Sequence, residues 1–164
     1  MNSLPEQDAL VVFAEVAVAV VGFSGVMAFV GKPTERVAQI KLKALVSGGV
    51  GVLVFSLLPI VVSLTSLEQD TAWRSLSGLM LAWIVIYYVL DRHDLALIGS
   101  DTVGPLLYAV GAGDLIMVVA LVASTLGVPL LGHSFIYLAS LLWMLVQVLS
   151  FFVESMAGLW SRSP

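Results

Sequence analysis

The chain has 164 residues, of which 60% are hydrophobic and 11% are charged, and its mean hydropathy is +1.06. A soluble domain carries roughly 25% charged residues, so this composition excludes a domain with a water-facing surface and indicates a lipid bilayer as the solvent. The net charge of −4 without basic blocks excludes nucleic-acid binding, and the lack of cysteine excludes disulfides, thiol catalysis and cysteine-ligated metals.

Five apolar segments follow one another along the chain, and each approaches the roughly 20 residues that a helix needs to cross a bilayer. They are predicted at about 9–30, 42–64, 75–90, 105–126 and 134–153. The segments between them are too short to fold as separate domains. The sequence therefore predicts an all-α integral membrane protein, in which residues 1–164 form a single membrane domain, a bundle of five transmembrane helices.

Glycine and proline residues indicate where these helices end and how they pack. Gly31 is expected to end the first helix and Gly127 the fourth, because glycine is favoured just past a helix C-terminus. The second helix contains Gly48, Gly49 and Gly51, and small residues in membrane helices allow close helix contacts. This stretch is therefore predicted to pack closely against a neighbouring helix.

Pro59 lies inside the second helix and has no backbone N–H to donate. The carbonyl of Phe55, four residues earlier, is expected to lose its helical hydrogen bond. The sequence allows this freed carbonyl to face a cavity near the outer end of the helix.

The distribution of basic residues predicts the orientation of the bundle, because cytoplasmic loops are rich in Lys and Arg. Six basic residues are expected on one side of the membrane and only Arg74 on the other. The six are Lys32, Arg36, Lys41, Lys43, Arg92 and Arg162. The N-terminus is therefore predicted outside and the C-terminus in the cytoplasm, within a plasma membrane or bacterial inner membrane. Tyr87 and Tyr88 fit an aromatic belt at the cytoplasmic interface.

Glu15 interrupts the first apolar segment, where an ionisable side chain costs about 2.5–3.5 kcal/mol on insertion scales. Gly22 and Gly25 continue its helix face, so Glu15 is expected to point at protein or a cavity instead of lipid. A salt bridge to Arg74 or an interaction with His133 would offset its cost. The alternative is a role in proton or cation passage.

Asp114 lies near the middle of the fourth segment, where the penalty for an ionisable group is greatest. A hydrogen bond to Gln147 on the fifth helix, or to Ser56 on the second, is the expected structural partner. Such bonds average only about 0.6 kcal/mol in membranes, which is too little to offset the cost. The imbalance favours a functional role for Asp114.

Carboxylates in series across a membrane are typical of proton and cation paths. The sequence therefore predicts an oligomeric cation- or proton-conducting channel or transporter, with Glu15, Asp114 and Gln147 along the path. The alternative is a non-catalytic subunit or assembly partner of a larger membrane complex. Hydrolase, metalloprotease and phosphate-binding motifs are missing from the sequence, so we expect no enzyme, no metal and no cofactor. The expected partners are the lipid bilayer and other copies of the chain or other membrane subunits.

Overall fold

The computed structural model describes residues 6–31, 36–65, 67–101, 105–128 and 132–160, with side chains in 6–26, 39–40, 42–65, 67–90, 111–128 and 132–156. These residues form five α-helices: α1 (Gln7–Gly31), α2 (Arg36–Val62), α3 (Gln69–Asp101), α4 (Pro105–Thr125) and α5 (His133–Trp160). The predicted all-helical architecture is confirmed.

Three helices extend well beyond their apolar segments, and α1 extends slightly beyond its own. α2 begins at Arg36, α3 extends over Gln69–Asp101 and α5 continues to Trp160. Hydropathy detects only the part of a helix that can lie in hydrocarbon, whereas the backbone hydrogen bonds continue into polar flanks until a breaker intervenes. The sequence therefore located these helices well but underestimated their lengths.

Several helices have the length and apolar composition needed to cross a membrane. Within the described residues these are Gln7–Val26, Leu42–Val62, Gln69–Leu90 and His133–Met156, and the described apolar part of α4, Gly111–Thr125, is shorter. Several apolar helices of this length indicate a membrane protein.

The helices are arranged around α5, which contacts each of the other four. α2 contacts α1, α3 and α5, whereas α4 contacts α3 and α5. Across the described parts of the bundle, α1 contacts neither α3 nor α4. α1 and α4 therefore lie on opposite flanks, with α5 between them.

The glycines of α2 allow its neighbours to approach closely, as predicted. A Cβ atom built on Gly48 would lie 2.8 Å from Cγ2 of Val148 on α5, and one on Gly49 would lie 2.6 Å from Cγ2 of Val21 on α1. A Cβ on Gly51 would lie 3.0 Å from an indole nitrogen of α3. Any larger side chain here would push α2 away from three helices.

Pro59 frees a backbone carbonyl that α5 then satisfies. The hydroxyl of Tyr137 donates a hydrogen bond of 2.6 Å to the carbonyl oxygen of Phe55, and both residues are buried. The predicted loss of the helical bond is consistent with this contact, and the freed carbonyl faces the Tyr137 hydroxyl where the sequence also allowed a cavity. A buried carbonyl without a partner is costly, and the Tyr137 hydroxyl removes that cost.

Candidate functional site

The carboxylate of Asp114 on α4 accepts three hydrogen bonds from two neighbouring helices. Oδ1 accepts from the indole Nε1 of Trp143 at 2.9 Å and from Nε2 of Gln147, both on α5. Oδ2 accepts from the hydroxyl of Tyr88 on α3. Three helices therefore meet at this one side chain, which is half-buried.

Helical spacing explains why two of these donors come from α5. Trp143 and Gln147 are four residues apart, so their side chains lie on the same helix face. The predicted hydrogen bond between Asp114 and Gln147 is present. Ser56, the other expected partner, is buried on α2 and donates instead to the carbonyl of Val52 at 2.7 Å.

Gly113 makes room for the indole of Trp143. A Cβ atom at Gly113 would overlap the six-membered ring of that indole. Gly111, two positions nearer the start of α4, has nothing within 4 Å of the corresponding point. The glycine beside Asp114 is therefore the one that allows Trp143 to reach the carboxylate.

The two oxygens of Asp114 differ in the chemistry open to them. The indole N–H and the amide NH₂ that face Oδ1 can only donate hydrogen bonds. The hydroxyl that faces Oδ2 can donate or accept. A proton can therefore bind at Oδ2 with the Tyr88 hydroxyl turning from donor to acceptor. Tyr88 is 42% exposed, so the Oδ2 side of the site reaches the exposed surface of the helix bundle.

A second polar cluster lies between the same three helices, nearer the start of α5. Oγ of Ser77 on α3 is 3.1 Å from Oγ of Ser124 on α4, which is 3.0 Å from Nδ1 of His133 on α5. All three residues are buried. His133 was one of two possible partners for Glu15, and its imidazole instead lies against Ser124.

Apolar side chains separate this cluster from Asp114. Asp114, Met117, Leu121 and Ser124 follow one another along α4 at successive steps of three, four and three residues. This helical spacing places all four side chains on one face of α4. Met117 and Leu121 are buried between the polar ends of this face. About 15 Å of helix lies between Asp114 and Ser124. This spacing was the sequence signal that could have linked the two clusters.

Arg74 packs against the end of α4 and not against Glu15. Its Nη2 lies 3.4 Å from the carbonyl of Thr125, an oxygen that the helix leaves without a helical partner. Gly127, with φ of 80°, ends α4 as predicted, and its missing Cβ leaves room for the guanidinium. A Cβ there would lie 2.9 Å from Cζ of Arg74.

Glu15 is exposed on the surface of α1. The buried face of α1 is formed by residues such as Leu10, Ala17 and Ser24, and Glu15 lies on the opposite side of the helix. Among the side chains described, none hydrogen-bonds or forms an ion pair with Glu15. Glu15 therefore does not point into the described part of its own chain, and neither the salt bridge to Arg74 nor the interaction with His133 is formed there.

The face that Glu15 shares with Gly22 and Gly25 is open. Both glycines have nothing within 4 Å of a built Cβ atom, so no helix in the described part of the chain packs against them. Because α1 does not contact α4 in the described part of the bundle, Glu15 and Asp114 are not brought together. A path within one chain that uses both carboxylates has no support from their positions.

Potential metal ligands do not gather at Asp114. Within the described residues, no group of three or more His, Cys, Asp or Glu side chains is placed to hold a metal ion.

No family model matches the chain, and no curated protein or solved structure is significantly similar to it.

Proposed function

We propose that this protein is a proton-conducting or proton-coupled membrane transporter in which Asp114 binds and releases the proton. The observation that supports it is the arrangement at Oδ2, where a carboxylate in an apolar helix faces a hydroxyl that can donate or accept. A protonatable group held at such a depth in a membrane protein marks proton relays and ion pathways.

The donor set favours a proton over a metal cation. Oδ1 of Asp114 already accepts from Trp143 and Gln147, and Oδ2 faces one hydroxyl. Metal cations such as Ca²⁺ and Mg²⁺ need several oxygen ligands around one point. A proton needs only one free lone pair and a neighbour that can reverse its hydrogen bond.

Movement of the proton beyond Asp114 requires a second conformation. Met117 and Leu121 fill the space between Asp114 and the buried cluster of Ser77, Ser124 and His133. Water and protons do not cross a packed apolar layer of this kind. The proposal is therefore a gated path, in which displacement of these two side chains would connect Asp114 to the other cluster.

The topology belongs to the same proposal. In this proposal the chain crosses the membrane five times, with the starts of α1, α3 and α5 outside and their ends on the cytoplasmic side. The four basic residues between the end of α1 and the first two turns of α2, Lys32, Arg36, Lys41 and Lys43, support this orientation in a plasma membrane or bacterial inner membrane.

Proton flux into liposomes tests the proposal, with a pH-sensitive dye inside the vesicles and an applied pH gradient. Asp114→Asn is the decisive variant, because an amide can keep the hydrogen bonds: its oxygen accepts from Trp143 and Gln147 and its NH₂ donates to Tyr88. A purely structural role for Asp114 therefore predicts that the Asp114→Asn variant keeps the proton flux of the wild type. The proton role predicts loss of flux at an unchanged melting temperature.

Tyr88→Phe and Tyr87→Phe form a matched pair of controls. The two substitutions remove one hydroxyl each from adjacent positions of α3, and the hydroxyl of Tyr88 is the one that donates to Oδ2 of Asp114. We expect Tyr88→Phe to lower the flux at least about tenfold, as for loss of a proton-transfer partner, and Tyr87→Phe to leave it unchanged. Wild-type flux in both Asp114→Asn and Tyr88→Phe would assign Asp114 to helix packing alone.

A non-catalytic subunit of a larger membrane complex is the second candidate. The exposed Glu15 supports it, because an unpaired carboxylate on an apolar helix favours a partner from outside the chain. Absence of flux under every gradient, in well-folded liposome samples, would favour this candidate over transport.

A further inference from the structure

Two opposite charges without an ion-pair partner lie on different flanks of the bundle. Glu15 is exposed on α1, and Arg74 is exposed where α3 meets the end of α4. We propose that copies of this chain assemble head to tail, with Glu15 of one copy paired to Arg74 of the next. The proposal is independent of proton transport, since it uses neither Asp114 nor its donors.

Glu15 supplies the reason for a partner. Its carboxylate lies within the apolar span Gln7–Val26, on the side of α1 that faces away from α2 and α5. Ionisable side chains in transmembrane segments almost always face protein or a water-filled cavity and pair with another group. The described part of its own chain supplies no such group, which favours a pairing group from another molecule.

Arg74 supplies the complementary charge. Its guanidinium lies over Gly127 and makes one long hydrogen bond of 3.4 Å, to the Thr125 carbonyl. A guanidinium has five N–H donors, so most of them remain available. No carboxylate of the described residues forms an ion pair with it, including Asp70 one turn earlier.

The positions of the two residues determine the symmetry of the contact. α1 contacts neither α3 nor α4 within the described bundle, so the two side chains cannot meet in one chain. A contact between two different faces is heterologous, and repeated copies of it close into a ring when the rotation allows.

The depths of the two residues match. Glu15 lies eight residues after the start of α1 at Gln7, and Arg74 lies five residues after the start of α3 at Gln69. At about 1.5 Å per residue, these positions are about 12 Å and about 7.5 Å from helix ends on the same side of the bundle. Arginine covers the difference by extending along the apolar surface.

The surface around Glu15 also fits a close helix contact. Gly22 and Gly25 lie on the same exposed side of α1, with open space in front of each. Small residues on a lipid-facing helix let another helix approach closely. A second copy of this chain therefore finds on α1 both a charge to pair with Arg74 and a flat surface to pack against.

Chemical cross-linking tests the contact directly, because the chain contains no cysteine that would react in the background. The double variant Glu15→Cys with Arg74→Cys is treated in liposomes with a short bis-maleimide. We expect a ladder of cross-linked species that ends at the ring size. Val61→Cys with Arg74→Cys is the matched control, since Val61 is equally exposed near the outer end of α2 but lies on another face.

The single variants distinguish this arrangement from a symmetric dimer. A head-to-tail contact predicts no cross-link from Glu15→Cys alone or Arg74→Cys alone. A cross-linked dimer from Glu15→Cys alone would mean that two α1 helices meet face to face, and it would overturn the proposal.

Charge exchange gives a second readout that does not require cysteine. Glu15→Lys and Arg74→Glu are each expected to weaken subunit association about tenfold or more, as measured by the oligomer fraction across a dilution series. The combined variant is expected to restore it. A folded chain that is monomeric in liposomes and detergent in every variant would overturn the proposal and leave lipid headgroups or another protein as the partner of Glu15.

Discussion

The two carboxylates in the apolar helices differ in how the protein satisfies them. Asp114 on α4 accepts hydrogen bonds from Tyr88, Trp143 and Gln147, so two further helices contribute to one side chain. Glu15 on α1 lies on the exposed side of its helix without a described partner. The chain therefore offsets the cost of one carboxylate with its own hydrogen-bond donors, whereas its described residues provide no donor for the other.

The glycines near each acid show the same contrast. A Cβ at Gly113 would overlap Trp143, whereas a Cβ at Gly22 would meet nothing within 4 Å. The region around Asp114 is a packed junction, and the outer face of α1 is an unfilled surface. Substitutions in these two regions should therefore have different consequences.

Removal of the carboxylate is expected to give the largest difference in the free energy of unfolding between the region around Asp114 and the outer face of α1. Asp114→Leu leaves three hydrogen-bond donors without their acceptor, so we expect the free energy of unfolding to fall by about 2–4 kcal/mol. Glu15→Leu removes a charge that has no partner in the chain, and the monomer should lose no stability. Unfolding in mixed micelles with increasing SDS, followed by tryptophan fluorescence, measures both. Equal losses would remove the distinction between the two acids.

Addition of one methyl group at each glycine is the next test. Gly113→Ala displaces the Trp143 indole and should lower the free energy of unfolding by about 1–3 kcal/mol, the usual range for overpacking. Gly22→Ala should be neutral within about 0.5 kcal/mol in the monomer. The same unfolding assay applies, and loss of the Asp114 contact should also change the Trp143 fluorescence. A neutral Gly113→Ala would show that the junction can repack.

The freed carbonyl of Phe55 extends the comparison to a backbone group. Tyr137→Phe removes its donor and should lower the free energy of unfolding by about 1 kcal/mol. In a Pro59→Ala background the helix supplies its own N–H, so the same substitution should cost less. The double-mutant cycle therefore measures the coupling between Pro59 and Tyr137. Additive effects would mean that the hydroxyl does not compensate for the proline.

The sequence predicted the features that depend on composition and local pattern. The helices, the close packing at Gly49, the helix end at Gly127 and the bond between Asp114 and Gln147 were all found. Each follows from residue type, spacing or depth along a helix. These quantities can be counted from the chain without knowing how the helices are rotated.

The sequence did not predict which way each helix faces. A membrane helix is apolar on all sides, so its hydrophobic pattern does not distinguish the side that packs against protein from the side that contacts lipid. The sequence therefore did not show that Glu15 lies on the side of α1 that faces away from the rest of its chain, and Tyr88 was assigned to an aromatic belt although its hydroxyl contacts Asp114. Trp143 was missed for the same reason. Helix rotation depends on contacts between distant segments, which one sequence does not reveal.

The central position of α5 has a consequence for biogenesis. α5 contacts every other helix, yet it is synthesised after all four of them. While α5 is still in the ribosome, α1 can pair with α2, and α3 can pair with α4. During that time Asp114 lacks two of its three hydrogen-bond donors, Trp143 and Gln147. The newly inserted chain therefore exposes a polar site to membrane proteases and chaperones until its last helix arrives. Mutations that delay insertion of α5 should shorten the lifetime of the protein in the cell more than they change its final stability.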